Sequence, residues 1–179
     1  TDDNVGDNGD AAVTYPTKNV NVIVPFSAGG NTDMSMRALL NVATSIDSKY
    51  TFVVDNKTGN AGLIGMEALA AADPDGYTLG TTNIDLLLHI CFGRTDVTME
   101  NYIPIAATMA DPYVLVISSS NPNYSNLQEF VDYAKANPGA VKMADSGVGA
   151  APNVAAKAFE KYFDITFDFY TYDGAPECV

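Results

Sequence analysis

An apolar strand that runs through a glycine pair directly into a helix limits this chain more than any other feature. Val20 to Val24 is short and rich in β-branched residues, Phe26-Ser27-Ala28-Gly29-Gly30 is a loop of mostly small side chains, and Thr32-Asp33 opens a helical pattern. A strand ending in Gly-Gly leaves several main-chain N–H groups without side-chain cover. The helix that follows adds its own unpaired N–H groups and the positive end of its dipole. Such a turn can hold a carboxylate or a phosphate without any Lys or Arg. The same glycines also suit a tight βα turn that binds nothing. Asp33 is favoured in the first helical turn by the dipole and would repel an anion there, so its reading is structural.

The alternation continues along the chain. Thr32 to Ile46 carries Met34, Met36, Leu39, Leu40 and Ala43 at helical spacing, Thr51 to Val54 reads as a strand, and Asp55 to Gly62 reads as a Gly/Asn turn. Leu63 to Ala72 is an Ala-rich helix stopped by Asp73-Pro74-Asp75-Gly76. Tyr77 to Leu79 is a third strand, and Thr81-Thr82-Asn83 leads into an apolar helix over Ile84 to Ile90. This order predicts an α/β fold with a mostly parallel sheet. Beyond it, Ile103 to Thr108 and Tyr113 to Ser118 read as strands, and Ser125-x-x-Gln128 as the capping box of a helix reaching Ala136. Val141 to Ala144 is a strand, a helix is expected from about Pro152 to Phe163, and Ile165 to Tyr170 is the last strand. Asp145-Ser146-Gly147-Val148-Gly149 repeats the device of the opening: strand, glycine loop, helix start. Two such mouths facing each other would grip both ends of a dicarboxylate.

Charge narrows the partners. Lys and Arg number 9 against 22 Asp and Glu, a formal net charge of −13. Phosphate neutralisation needs clustered basic residues, so nucleic acid is not an expected partner, and an anionic membrane surface is disfavoured on the same ground. A small anion is still admissible, because local amide donors outweigh a distant field. With 47% hydrophobic residues there is material for a core, yet no run approaches the roughly 20 apolar residues of a membrane span. Thr1 to Ala12 is polar, Gly- and Asp-rich and aperiodic, which predicts a disordered leader over residues 1–14. Such a leader suits a tether to a membrane anchor and equally a frayed terminus. Cys91 and Cys178 are too few for a disulfide framework and decide no compartment.

No set of residues adds up to catalysis. His89 is the only histidine and sits among Leu86, Leu87, Leu88 and Ile90, where packing is its expected role. One His and two distant Cys assemble no zinc site. Ser146 lacks the glycine flanks of a nucleophile elbow. Gly59-Asn60-Ala61-Gly62-Leu63-Ile64-Gly65 has the spacing G-x-x-G-x-x-G rather than that of a dinucleotide loop. Asp73 and Asp75 flank a proline in a turn and read as turn chemistry. Neither an enzyme nor a cofactor nor a metal is expected.

The order of these pieces resembles the tripartite tricarboxylate transporter substrate-binding proteins, the Bug family of solute receptors. The resemblance rests on Tyr15-Pro16-x-Lys18, Val24 to Gly30 with Thr32-Asp33, Gly59-x-Ala61-Gly62-x-Ile64-Gly65 and Pro74-Asp75-Gly76-Tyr77-Thr78-Leu79. It continues through Ala136-Asn137-Pro138-Gly139, Ser146-Gly147-Val148-Gly149 and Tyr172-x-Gly174-Ala175-Pro176. What the resemblance implies is a two-lobed periplasmic-binding-protein fold of the second type, with a first lobe over residues 15–115 and a partial second lobe over 116–179. Members of the family are much longer, so the second lobe is expected to be incomplete and to offer sheet edges through which two copies could pair.

The implied function is capture of a small carboxylate outside the cytoplasm, in the periplasm or on a lipid anchor at the outer face of the membrane, for delivery to membrane transporter subunits. The implied site comprises Phe26, Ser27, Ala28, Gly29 and Gly30 with Thr32 in support, and Ser146, Gly147, Gly149 and Ala150 on the second lobe, with Asn153 in its first helical turn. Asn83 and Tyr172 would line the cleft. The chain departs from the family pattern by carrying Ser27 in place of Pro, Ala150 in place of Ser, Asn153 in place of His, and Asp173 in place of Lys. The last three weaken or redirect anion capture on the second lobe. The other implied reading is a non-transporting module that self-associates or senses a ligand.

Overall fold

In the computed structural model, which describes residues 14–110, 112–145 and 147–172, β1 (Val20–Val24) is the middle strand of a three-stranded parallel sheet. Val20, Val22, Ile23 and Val24 are buried, as a strand covered on both faces requires. β2 (Phe52–Asn56) pairs on one side, Val22 opposite Val54, and β3 (Thr78–Gly80) on the other, Val22 opposite Leu79. α1 (Asn31–Ile46) joins β1 to β2, α2 (Leu63–Ala70) joins β2 to β3, and α3 (Ile84–Cys91) follows β3. Ala61 before α2, Leu40 of α1, Leu63 and Met66 of α2 and Leu86 of α3 join those of β1 in the buried apolar set. The order β2-β1-β3 means that the chain leaves β1 toward one side and returns past it to the other. Loops at the C-terminal ends of β1 and β3 therefore diverge and open a crevice, where ligands of open α/β sheets bind.

A second parallel sheet pairs β4 (Val141–Asp145) with β5 (Phe167–Thr171), Val141 opposite Phe167. α4 (Leu127–Ala136) and α5 (Ala151–Phe163) accompany it. Its core is Phe130, Val131 and Ala134 of α4 with Val141, Ile165 and Phe167. Phe159 of α5 packs its ring 6.1 Å from that of Phe130 and 6.2 Å from that of Phe167. The α/β architecture with parallel sheets is the one expected, and each lobe has a core of its own.

Two expectations are corrected. Ile103 to Thr108 and Tyr113 to Ser118 are not strands: among the described residues no strand lies beside them, and Ile103 and Val116 are 84% and 79% exposed. Their apolar, β-branched pattern is that of a strand, but a strand exists only through a hydrogen-bonded neighbour. The α4 cap lies one residue further on than Ser125-x-x-Gln128. Asn126 is the N-cap, its Oδ1 accepting the Glu129 N–H at 3.0 Å, while the Glu129 carboxylate accepts the Ser125 N–H and hydroxyl at 2.9 Å each. A charged acceptor in the first turn outcompetes a neutral amide, and Gln128 donates to Asp132 instead, at 3.0 Å. The expected leader, except Thr14, lies outside the described residues, as do Ser146, Asp173 and Cys178.

Candidate functional site

The first glycine loop is tied together from behind by Asp33. This carboxylate, 2% exposed, accepts the Gly29 N–H at 2.9 Å, Arg37 Nε at 2.9 Å and Asn56 Nδ2 at 2.9 Å. The Arg37 hydrogen bond is the main reason that its pKa falls from 3.8 to about 2; burial opposes the shift, and the bonds from Gly29 and Asn56 reinforce it. Asn56, the last residue of β2, also donates to the Phe26 carbonyl at 3.0 Å, so one side chain joins the loop to the sheet and to α1. Gly30 is the N-cap of α1, and its N–H bonds the Ser27 carbonyl at 3.2 Å. Phe26, Ser27 and Thr32 are half-buried, Gly30 is buried, and Ala28 and Gly29 are exposed.

The second loop repeats the arrangement with the two side-chain types exchanged. Asp145, the last residue of β4, accepts the Gly147 N–H at 3.1 Å on Oδ1 and Asn153 Nδ2 at 2.6 Å on Oδ2. Asn153 Oδ1 in turn accepts the Gly149 N–H at 3.1 Å, the same four-residue step that joins Gly29 to Asp33. Ala150 is fully buried and its N–H bonds the Gly147 carbonyl at 3.0 Å. The next helical N–H, that of Ala151, is accepted at 2.5 Å by Asp85 of α3, which belongs to the other lobe. Asn83 caps α3, accepting the Asp85 N–H at 3.0 Å and donating to its carboxylate at 2.9 Å. The start of α5 thus already faces a carboxylate supplied by the protein.

Close approach of the lobes depends on two glycines. Gly147 has φ +139°, and a Cβ there would lie 2.6 Å from Ala61 Cβ; Gly149 has φ +75°, and a Cβ there would lie 2.7 Å from the terminal nitrogens of Arg94. Arg94 Nη1 donates to the Val148 carbonyl at 2.6 Å. Ala61 itself takes the left-handed conformation, φ 54°, and its carbonyl meets Nε2 of the buried His89 at 3.1 Å. His89 is therefore a packed residue that supports a loop, in keeping with its apolar helix.

Between the lobes lies an open cleft of about 850 Å³, lined by Asn60, Ala61, Arg94, Gly147, Val148, Thr171 and Tyr172. Of the residues expected from the sequence, Gly147 and Tyr172 line it. Phe26, Ser27, Ala28, Gly29, Gly30, Thr32 and Asn83 are not part of that lining, and Gly149, Ala150 and Asn153 are buried behind it. Asn60, Ala61, Arg94, Val148 and Thr171 were not anticipated. Asn60 and Ala61 left a trace in the sequence: Gly59 to Gly62 all adopt positive φ, and Gly-Asn-Ala-Gly after a strand is the composition of such a turn. Arg94 follows α3 in a stretch without a motif and left none.

Residues 38–179 match the family described as tripartite tricarboxylate transporter family receptor, TctC. The chain belongs to this family. Among its relatives is Protein BugT of Bordetella pertussis, 30% identical over 176 residues that make up 94% of this chain and 52% of that protein. The solved periplasmic binding protein BugD superposes with a TM-score of 0.69 at 26% identity over 91% of this TctC chain and 55% of BugD. MatC from Rhodopseudomonas palustris, solved with bound malate, has a TM-score of 0.78 at 22% identity over 89% of this chain and 55% of MatC, a likeness of fold. This TctC chain spans about half the length of the curated relatives it matches.

Proposed function

We propose that this TctC chain takes part in extracytoplasmic capture of a small carboxylate, di- or tricarboxylate or a similar organic acid, for a tripartite tricarboxylate-type transporter. The observation that carries the reading is the interlobe cleft, with glycine loops of both sheets at or beside it. Family membership supports it, and MatC, of the same fold, was solved with malate. Capture needs no bond making: lobes that close around a ligand retain it by burying it. Phe26 to Gly30 with Thr32 on one side, and Ser146, Gly147, Gly149 and Ala150 on the other, remain the proposed contacts, with Asn83, Asn153 and Tyr172 beside them. Because most of their described N–H groups are bonded internally, closure must turn some of them outward or reach the ligand through water. The division into lobes at residues 15–115 and 116–179 belongs to the same proposal. The test is thermal unfolding against di- and tricarboxylates and acidic amino acids. A Tm that climbs with ligand concentration is expected, since a ligand bound only by the folded state stabilises it by mass action; a Tm that no carboxylate moves would refute the reading.

A second reading is favoured by one observation. Ile103, Ile105, Val114 and Val116 are exposed, β-branched side chains on two segments outside either sheet, the kind of surface that recruits a partner. On this reading the chain is a non-transporting module that pairs with a second copy. Concentration-dependent dimerisation in light scattering, together with no carboxylate binding, would decide for it.

A further inference from the structure

Arg94 is the one charged side chain among the described residues that line the cleft. It is reached through a built seat. Its Nη1 donates to the Val148 carbonyl at 2.6 Å, its guanidinium lies 5.3 Å from the centre of the Phe92 ring, and Gly149 supplies the space a Cβ would fill. A carbonyl and a ring face hold a guanidinium without cancelling its charge. Among the described residues no carboxylate is within ion-pair distance of it; the ion pairs engage Lys18, Arg37, Lys49, Lys57 and Lys157. The surrounding charge makes this cation matter. The chain carries −13 overall, and Asp85 in α3 and Asp145 at the end of β4 are buried carboxylates bonded to N–H groups of the second loop and the start of α5. An anion entering there meets an opposing field, and a second negative charge doubles the opposition.

We infer that Arg94 is the residue that selects for a second carboxylate: the cleft takes a dianion, and Arg94 pairs with the carboxylate furthest from the first glycine loop. A guanidinium presents parallel N–H donors that match a carboxylate, and the Val148 contact leaves most of its five N–H groups available. The inference rests on the capture of a carboxylate proposed above and adds the charge class of the ligand and the residue that sets it.

The experiment compares acids that share a carbon chain and differ by one carboxylate: adipate with hexanoate, and succinate with butyrate. Binding to the full chain and to its Arg94→Gln and Arg94→Lys variants is measured by calorimetry at low and high salt. Gln keeps an N–H for the Val148 carbonyl and loses only the charge, and each variant is first checked for an unchanged cooperative melt. The wild-type chain is expected to prefer the diacid of at least one pair. Arg94→Gln should weaken diacid binding by about tenfold or more while shifting the monoacid little. Arg94→Lys should recover part of the loss, and added salt should weaken the wild type more than Arg94→Gln. If Arg94→Gln lowers diacid and monoacid binding by the same factor, or lowers neither, the inference is overturned and carboxylate capture stands. If the wild type binds none of the four acids by calorimetry, the capture of such acids falls as well.

Discussion

Replacing Asp33 by Asn keeps the shape of the side chain and removes its charge. The carboxyl titrates at about 2 in the folded chain against an ordinary 3.8, a difference worth about 2.5 kcal/mol at neutral pH. Asn loses that contribution and adds a second fault. Its NH₂ group must face Gly29 N–H, Arg37 Nε or Asn56 Nδ2, all of which are donors in the wild type. A buried donor against a donor costs about 1–3 kcal/mol, so the total loss should be about 3.5–5.5 kcal/mol. The sign with pH follows from the lowered pKa. The Asp33 contribution is complete well above 3.8, declines as the unfolded carboxyl takes up its proton, and is gone once pH falls through about 2. The stability gap between wild type and Asp33→Asn should therefore be constant from pH 7 to 5 and smaller by about 1 kcal/mol at pH 3, where the charge contribution alone has fallen to near half.

The second loop shows how to repair the damage. There the side chain in the helix is Asn153 and its partner on the strand is Asp145. Asp33→Asn combined with Asn56→Asp recreates that exchange, and Arg37 Nη2, already 3.0 Å from Asn56 Oδ1, gains the new carboxylate. The double variant should recover most of the loss, with about 1 kcal/mol remaining because the Phe26 carbonyl forfeits its amide donor. Urea unfolding of the four proteins at several pH values reads all of this. The reasoning is refuted if Asp33→Asn lies within about 0.5 kcal/mol of wild type, or if the double variant is less stable than Asp33→Asn alone.

Three other outcomes are expected. Gly147→Ala places a Cβ 2.6 Å from that of Ala61 at a φ that L residues rarely adopt; it should cost about 1–3 kcal/mol and widen the gap between lobes, seen as a larger radius of gyration in X-ray scattering. Asp85→Ala leaves the Ala151 N–H without its acceptor; a loss of about 1–3 kcal/mol is expected, and sulfate should raise the Tm of this variant more than that of wild type by taking the vacated helix start. Phe130→Ala removes the ring that touches those of Phe159 and Phe167; it should cost about 3–5 kcal/mol, and hydrogen exchange should show the loss confined to β4, β5 and their helices rather than to the sheet around β1.

Local pattern carried most of the fold and only part of the site. β1 to β3 and α1 to α3 were readable because each is a short apolar run or an amphipathic stretch, and all but α1 are followed within a few residues by Gly, Asn or Pro. The stretch from Ile103 to Ser118 has the same local pattern and misled, because strand pairing is a property of two distant segments and no residue within it records whether a partner is present. The α4 cap moved by one residue because Glu129 could be judged as a competing acceptor only once its bonds to Ser125 were visible. The glycine loops were named correctly as loops. That their N–H groups are spent on Asp33, Asp145 and Asn153 depends on side chains whose aim no spacing rule encodes. Arg94 entered the cleft through the close approach of two lobes, a tertiary fact with no local signature.

The matching design of the two loops bears on how an anion can be held. Each loop carries a buried carboxylate against its own glycine N–H: directly from Asp33 to Gly29, and from Asp145 to Gly147. A third, from Asp85, occupies the start of α5. Of the three, Asp33 alone is paired with a cation among the described residues. These carboxylates order the loops, and for the buried Gly147 an unbonded N–H would itself carry a cost. The same groups oppose an incoming anion, and helix dipoles whose first turn already faces a carboxylate have little left with which to offset them. Affinity for an organic acid must then come from donors that are not already engaged, and from a charge of opposite sign placed where the ligand's own negative end will sit. On the proposal made above, Arg94, seated on the Val148 carbonyl in the lining of the cleft, supplies both.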